Sequence, residues 1–157
     1  MTDQFATFSL PSAETSAKYA AALGQRLRGG DTILLEGDVG AGKTHFARSL
    51  ILSLLDVPED VPSPTFTLVQ TYPSTRGDIW HADLYRLTSS QEIEELGLVD
   101  AFETDICLVE WPDRLGALMP TNALTLRLDP GDTLDTRVLT AQWSDQRWAD
   151  RLSGWPL

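Results

Sequence analysis

Apolar and polar positions recur with two different periods along this chain, and the changes of period mark its elements. Thr32-Ile33-Leu34-Leu35-Glu36 and Ile106-Cys107-Leu108-Val109-Glu110 are short, almost wholly apolar runs, the pattern of strands buried on both faces. Ala6-Thr7-Phe8-Ser9-Leu10 alternates like a first strand. Pro11-Ser12 then opens a helix with Ala20, Leu23 and Leu27 on one face and Gly29-Gly30 at its end. A second helix follows the first apolar strand and runs through Leu55, and the proline-rich stretch from Val57 to Pro64 reads as a loop.

Thr65 to Tyr72 and Ile79 to Tyr85 alternate like strands on either side of the turn-rich Pro73-Ser74-Thr75-Arg76-Gly77-Asp78, which predicts an antiparallel hairpin. Ser89 and Glu92 have the spacing of a capping box at the start of a helix. Pro112 is placed to begin another helix. Leu124–Leu128 and Arg137–Trp143 read as a second hairpin. Asp145 to Trp155 reads as a terminal amphipathic helix carrying Trp148, Leu152 and Trp155. The sum is an α/β fold of the phosphate-loop NTPase kind: a mixed sheet flanked by helices, with antiparallel hairpin insertions.

Composition narrows the function more than the fold. At 157 residues the chain is expected to form one domain over 1–157. No apolar run approaches the length of a membrane span, and Met1-Thr2-Asp3-Gln4-Phe5 lacks the basic and apolar regions of a leader, so a cytoplasmic protein is expected. The single cysteine, Cys107, lies inside an apolar strand and reads as a buried residue. The formal net charge of −11 disfavours tight direct binding of nucleic acid. The arginines are scattered along the chain with no basic cluster.

The chemistry begins where the first apolar strand ends. Gly37-Asp38-Val39-Gly40-Ala41-Gly42-Lys43-Thr44 is a complete G-x-x-x-x-G-K-[ST] loop between a strand and a helix. Glycines let the backbone turn tightly and approach phosphates closely, and the loop N–H groups add to the positive end of the helix dipole. In such a loop Lys43 reaches the β- and γ-phosphates and the Thr44 hydroxyl reaches Mg²⁺.

A phosphate loop also needs an acid at the end of a neighbouring strand, to hold the metal or to orient water. Two acids have that place: Glu110 after Ile106-Cys107-Leu108-Val109, and Asp83 after Ile79-Trp80-His81-Ala82. Thr65, between Pro64 and a strand, is placed as a switch residue for the γ-phosphate and Mg²⁺. His45 and His81 lack the spacing of metal ligands and read as packing or surface residues.

Four blocks together resemble the TsaE (YjeE) family of bacterial tRNA threonylcarbamoyladenosine biosynthesis proteins. They are the loop from Glu36 to Thr44, Ser63-Pro64-Thr65-Phe66-Thr67-Leu68-Val69, His81-Ala82-Asp83-Leu84-Tyr85-Arg86-Leu87, and Leu108-Val109-Glu110-Trp111-Pro112. The resemblance implies an ATPase that binds Mg-ATP through Asp38, Val39, Gly40, Ala41, Gly42, Lys43 and Thr44. It implies Mg²⁺ at Thr44 and Glu110, a switch at Thr65, an acid for turnover at Asp83, and Thr15 and Arg137 bordering the nucleotide. Trp111 is implied to shape the site or a partner-facing surface. The implied partner is the TsaB–TsaD pair, which installs threonylcarbamoyl on adenosine 37 of tRNAs reading codons that begin with A.

Two departures from the family pattern are Ala82, where an aromatic is common, and His45, where a small hydroxyl residue is common. The competing enzyme class is a small-metabolite kinase. It would need a lid rich in arginine, and none stands out. A GTPase-like switch would need N-K-x-D, which is absent; Asp113-Arg114-Leu115-Gly116 matches D-x-x-G only by coincidence.

Overall fold

The computed structural model describes residues 3–157; Met1 and Thr2, which open the stretch read for a leader, lie outside them. The chain runs β1 (Gln4–Leu10), α1 (Ala13–Gly24), β2 (Thr32–Glu36), α2 (Lys43–Leu54), β3 (Val69–Tyr72), β4 (Ile79–Asp83), α3 (Ser90–Glu95), α4 (Leu98–Thr104) and β5 (Ile106–Glu110). A 3₁₀ segment over Pro112–Leu118, β6 (Leu124–Pro130), β7 (Arg137–Trp143) and α5 (Arg147–Arg151) complete it.

The strands form one seven-stranded sheet in the order β1-β7-β6-β2-β5-β4-β3. Its centre is parallel: β2 lies between β6 and β5, and β5 lies beside β4. Antiparallel pairs close both margins, β3 on β4 at one side and β6, β7 and β1 at the other. This is the mixed sheet with hairpin insertions that the alternation pattern predicts.

Side chains on a strand face alternate sides, so the apolar runs of β2 and β5 feed two cores. Ile33, Leu35, Ile106 and Leu108 pack with α1, α2 and the two C-terminal tryptophans on one face. Leu34, Cys107 and Val109 pack with α3, α4 and Leu115 on the other. Cys107 is fully buried, and burial, with Asp105 nearby, pushes its thiol up to about 12.

Five local expectations differ from the structure. Helix α1 ends at Gly24 rather than at Gly29-Gly30, and Leu27 is buried from a turn that follows the helix. A Cβ at Gly24 would lie 2.8 Å from Ser53 Oγ and 3.3 Å from the Leu50 carbonyl, so this glycine serves the close approach of α1 to α2. Thr65 to Leu68 is a turn, not the first half of a strand. Leu68 has φ of 70° and donates its N–H to the Pro64 carbonyl at 2.7 Å, leaving Phe66 80% exposed.

The segment after Pro112 is 3₁₀, broken at Gly116 where φ is 53°. The C-terminal helix is only Arg147–Arg151, but Trp148 and Trp155 are buried as expected, their indole N–H groups on the carbonyls of Asn122 and Tyr19. The arginines also cluster more than their sequence positions suggest. Arg26, Arg28, Arg147 and Arg151 meet between the α1–β2 turn and the C-terminal segment.

Candidate functional site

The site lies at the C-terminal ends of β2, β5 and β4, the edge of a parallel sheet where open α/β folds place ligands. The loop leaving β2 depends on its glycines. Gly37 has φ of 139°, and a Cβ there would meet the Leu128 carbonyl at 2.6 Å. Gly40 and Gly42 have φ of 83° and 105°, and an added Cβ at either would find nothing within 4 Å, so open space lies beside the loop. Gly42 is the N-cap of the twelve-residue α2 and supplies no side-chain cap, leaving first-turn N–H groups for another acceptor.

Lys43 opens α2 and is 5% exposed. Its ammonium donates to the Gly37 and Asp38 carbonyls, the latter at 2.9 Å, and stands 4.1 Å from the centre of the Trp111 ring. Burial holds its pKa below the ordinary lysine value, against the opposing pull of Glu110, Asp83 and Asp38. Thr44 donates its hydroxyl to Glu110 Oε1 at 2.8 Å.

Register explains how the two acids meet this helix start. Glu110 is paired with Leu35 of β2 on one side and with Asp83 of β4 on the other. Both carboxylates are buried, Glu110 at 2% exposure and Asp83 at 6%. Asp83 accepts the Tyr85 N–H at 3.0 Å and the Thr65 hydroxyl at 3.3 Å. Thr65 also lies 2.7 Å from the Ser63 hydroxyl. Tyr85 and Trp111, 4.8 Å apart at their centroids, wall a cleft of about 380 Å³ that holds Lys43, Thr44, Thr65, Asp83 and Glu110.

A second cavity of about 530 Å³ lies on the other side of Gly42 and His45, between the start of α1 and β7. Arg137 lines it and donates to the Ala41 carbonyl at 3.0 Å and the Gly40 carbonyl at 3.4 Å, bracing the loop from behind. The Thr15 hydroxyl is 3.1 Å from that of Ser12, which lines the cavity together with Ser16. His45 lies between the cavities, its Nε2 3.0 Å from the Ala13 carbonyl. Val39 is 78% exposed on the rim, and Asp38 is exposed beside it.

One residue of the site reads as a packing or surface residue from its sequence alone. His81 is fully buried and its Nε2 lies 2.7 Å from Glu110 Oε2. The signal was present: His81 and Asp83 are two apart on one strand and therefore share a face. What sequence lacked was the register that sets this face beside Glu110.

Residues 10–139 match the family model described as Threonylcarbamoyl adenosine biosynthesis protein TsaE, a span that contains every side chain of the cleft. The chain belongs to the TsaE family. A tRNA threonylcarbamoyladenosine biosynthesis protein TsaE of Rickettsia conorii is 40% identical over 124 residues, covering 79% of this chain and 71% of that one. The protein of the same name from Mycobacterium bovis is 31% identical over 147 residues, covering 87% and 86%.

Among solved structures, Bacillus subtilus YdiB superposes with a TM-score of 0.77 over 98% of this chain and 95% of that one. At 24% identity this likeness carries the fold alone. TsaE proteins belong to the biosynthesis of tRNA threonylcarbamoyladenosine, and that places this chain in tRNA modification.

Proposed function

We propose that this chain binds Mg-ATP in the cleft and hydrolyses it slowly in the cytoplasm, as an accessory to a TsaB–TsaD pair that threonylcarbamoylates tRNA. The observation that carries this reading is the contact of the Thr44 hydroxyl with the Glu110 carboxylate, 2.8 Å apart and facing Lys43 at an uncapped helix N-terminus. The donor set fits the cofactor. A hydroxyl and a carboxylate are hard oxygen ligands of the kind Mg²⁺ takes, in company with phosphate oxygens and water. Among the described residues no group of three His, Cys, Asp or Glu side chains forms a cage, so the metal would arrive with the nucleotide.

Charge points the same way. The cleft sets one ammonium, Lys43, against two buried carboxylates, Asp83 and Glu110. That balance opposes a bare triphosphate and suits one already carrying a divalent cation. Mg²⁺ supplies charge neutralisation at the β- and γ-oxygens when bound. Lys43 exchanges the loop carbonyls for phosphate oxygens, Thr44 and Glu110 hold the metal side, and Asp83 with Thr65 positions the attacking water.

Among the described residues no arginine lines the cleft: Arg137 is engaged with the loop carbonyls behind it and Arg86 lies over the Phe66 ring, 4.6 Å away. Slow turnover by the isolated chain follows from that. The acidic surface, at net charge −11, suits a protein that serves tRNA modification without gripping tRNA itself.

The test is ATP hydrolysis by the purified chain, alone and with the TsaB–TsaD pair of its own organism, with Lys43→Ala as control. Stimulation by the pair that vanishes in Lys43→Ala is the expected result. Tight ATP binding with neither stimulation nor a complex would transfer the reading to a small-metabolite kinase.

A further inference from the structure

Glu110 receives one donor on each oxygen, and the two donors come from different elements. Thr44 of α2 takes Oε1 at 2.8 Å, and His81 of β4 takes Oε2 at 2.7 Å. His81 has no exposure, and its other ring nitrogen, Nδ1, is buried without any partner. Its one hydrogen-bond partner among the described residues is the Glu110 carboxylate. One ring nitrogen is left bare while the other is committed to a single carboxylate.

With an ionised carboxylate as partner, Nε2 is the donor of this pair. Glu110 is thus oriented through Oε2, and Oε1 stays with Thr44.

We infer that His81 is the positioning residue of Glu110: its Nε2–H fixes the carboxylate plane so that Oε1 stays on Thr44 and the pair presents a preformed oxygen edge to Mg²⁺. The inference rests on the Mg-ATP reading of the cleft. Donors that orient a metal-side group typically change metal affinity by about 10- to 100-fold when lost. The effect is confined to the metal-dependent part of binding, because among the described residues no hydrogen bond joins His81 to the phosphate loop or to Lys43.

The experiment compares His81→Gln, whose side-chain amide can stand near the place of Nε2, with His81→Asn, whose amide stands near the place of Nδ1. ADP affinity is measured by titration calorimetry with Mg²⁺ and with EDTA, and unfolding is followed in urea. The wild type is expected to bind more tightly with Mg²⁺. His81→Asn is expected to lose about 10-fold or more of that gain at unchanged affinity in EDTA, and His81→Gln to retain it within about 3-fold.

A full Mg²⁺ gain in His81→Asn overturns the positioning role and leaves the site reading intact. So does a loss in both variants that tracks lost stability and appears equally in EDTA. A wild type with no Mg²⁺ gain overturns the site reading, and the positioning role falls with it.

Discussion

The central strand β2 has a buried ionic group at each end, and the two are satisfied very differently. At its start Asp31 is 1% exposed and its carboxylate is saturated. One oxygen takes the Arg28 N–H and Arg151 Nε, both at 2.8 Å; the other takes Arg151 Nη2 at 3.2 Å and Arg147 Nη1 at 3.3 Å.

At the far end, Lys43 rests on carbonyls and an aromatic ring, with no carboxylate within salt-bridge distance among the described residues. Glu110 has one donor per oxygen, and His81 leaves a nitrogen unpaired. Charge that the chain itself completes is a structural fastening. Charge that the chain leaves incomplete is what the proposed Mg-ATP site would use, at some cost to the unliganded fold.

That contrast can be broken most forcefully at its structural end. Asp31→Asn removes the counter-charge of two partly buried guanidinium groups. It is expected to destabilise the protein by about 3 kcal/mol in urea unfolding, because breaking one partner of a buried pair strands the other. Nucleotide affinity of the folded variant should be unchanged. Weakened nucleotide binding with full stability would mean that the two ends are not independent.

Lys43→Met sharpens the comparison from the other side. It should abolish nucleotide binding while leaving the unliganded protein as stable as wild type, or more stable by about 1 kcal/mol, because a buried ammonium without a carboxylate partner is removed. The same residue sets a pH dependence. Its folded pKa lies below 10.5, so between that lowered value and 10.5 the unfolded chain binds more protons than the folded one. Wild-type stability should therefore gain on Lys43→Met as pH rises toward 10.5, with the burial penalty fully present below the lowered pKa. Parallel urea titrations across alkaline pH read the difference; a gap that widens against the wild type would reverse the sign.

The smallest effect is expected at Phe66→Ser. The ring is 80% exposed and lies under the Arg86 guanidinium at 4.6 Å, so stability should fall by less than about 1 kcal/mol. A larger loss in denaturant would show that the Thr65–Leu68 turn supports the site through this ring rather than through the Thr65 hydroxyl.

What could be read from the sequence, and what could not, divides along the range of the forces involved. The apolar runs of β2 and β5 named their strands residue for residue, because burial on both faces leaves no polar position to blur the ends. The glycine loop before α2 was legible because glycine spacing and the start of a helix are local facts. Thr65–Leu68 misled because alternation alone does not distinguish a strand from a turn that returns to the Pro64 carbonyl.

The amino-acid sequence by itself determined the elements, the loop, and two acids that end strands, since each follows from periodicity or from backbone freedom over a few residues. Only the tertiary structure decided which of those ends meet. Thr44 reaches Glu110 across 66 positions, His81 reaches it across 29, and Arg151 reaches Asp31 across 120. Those encounters follow from strand order and register, which are set when the whole sheet packs its two cores, and no local pattern carries them.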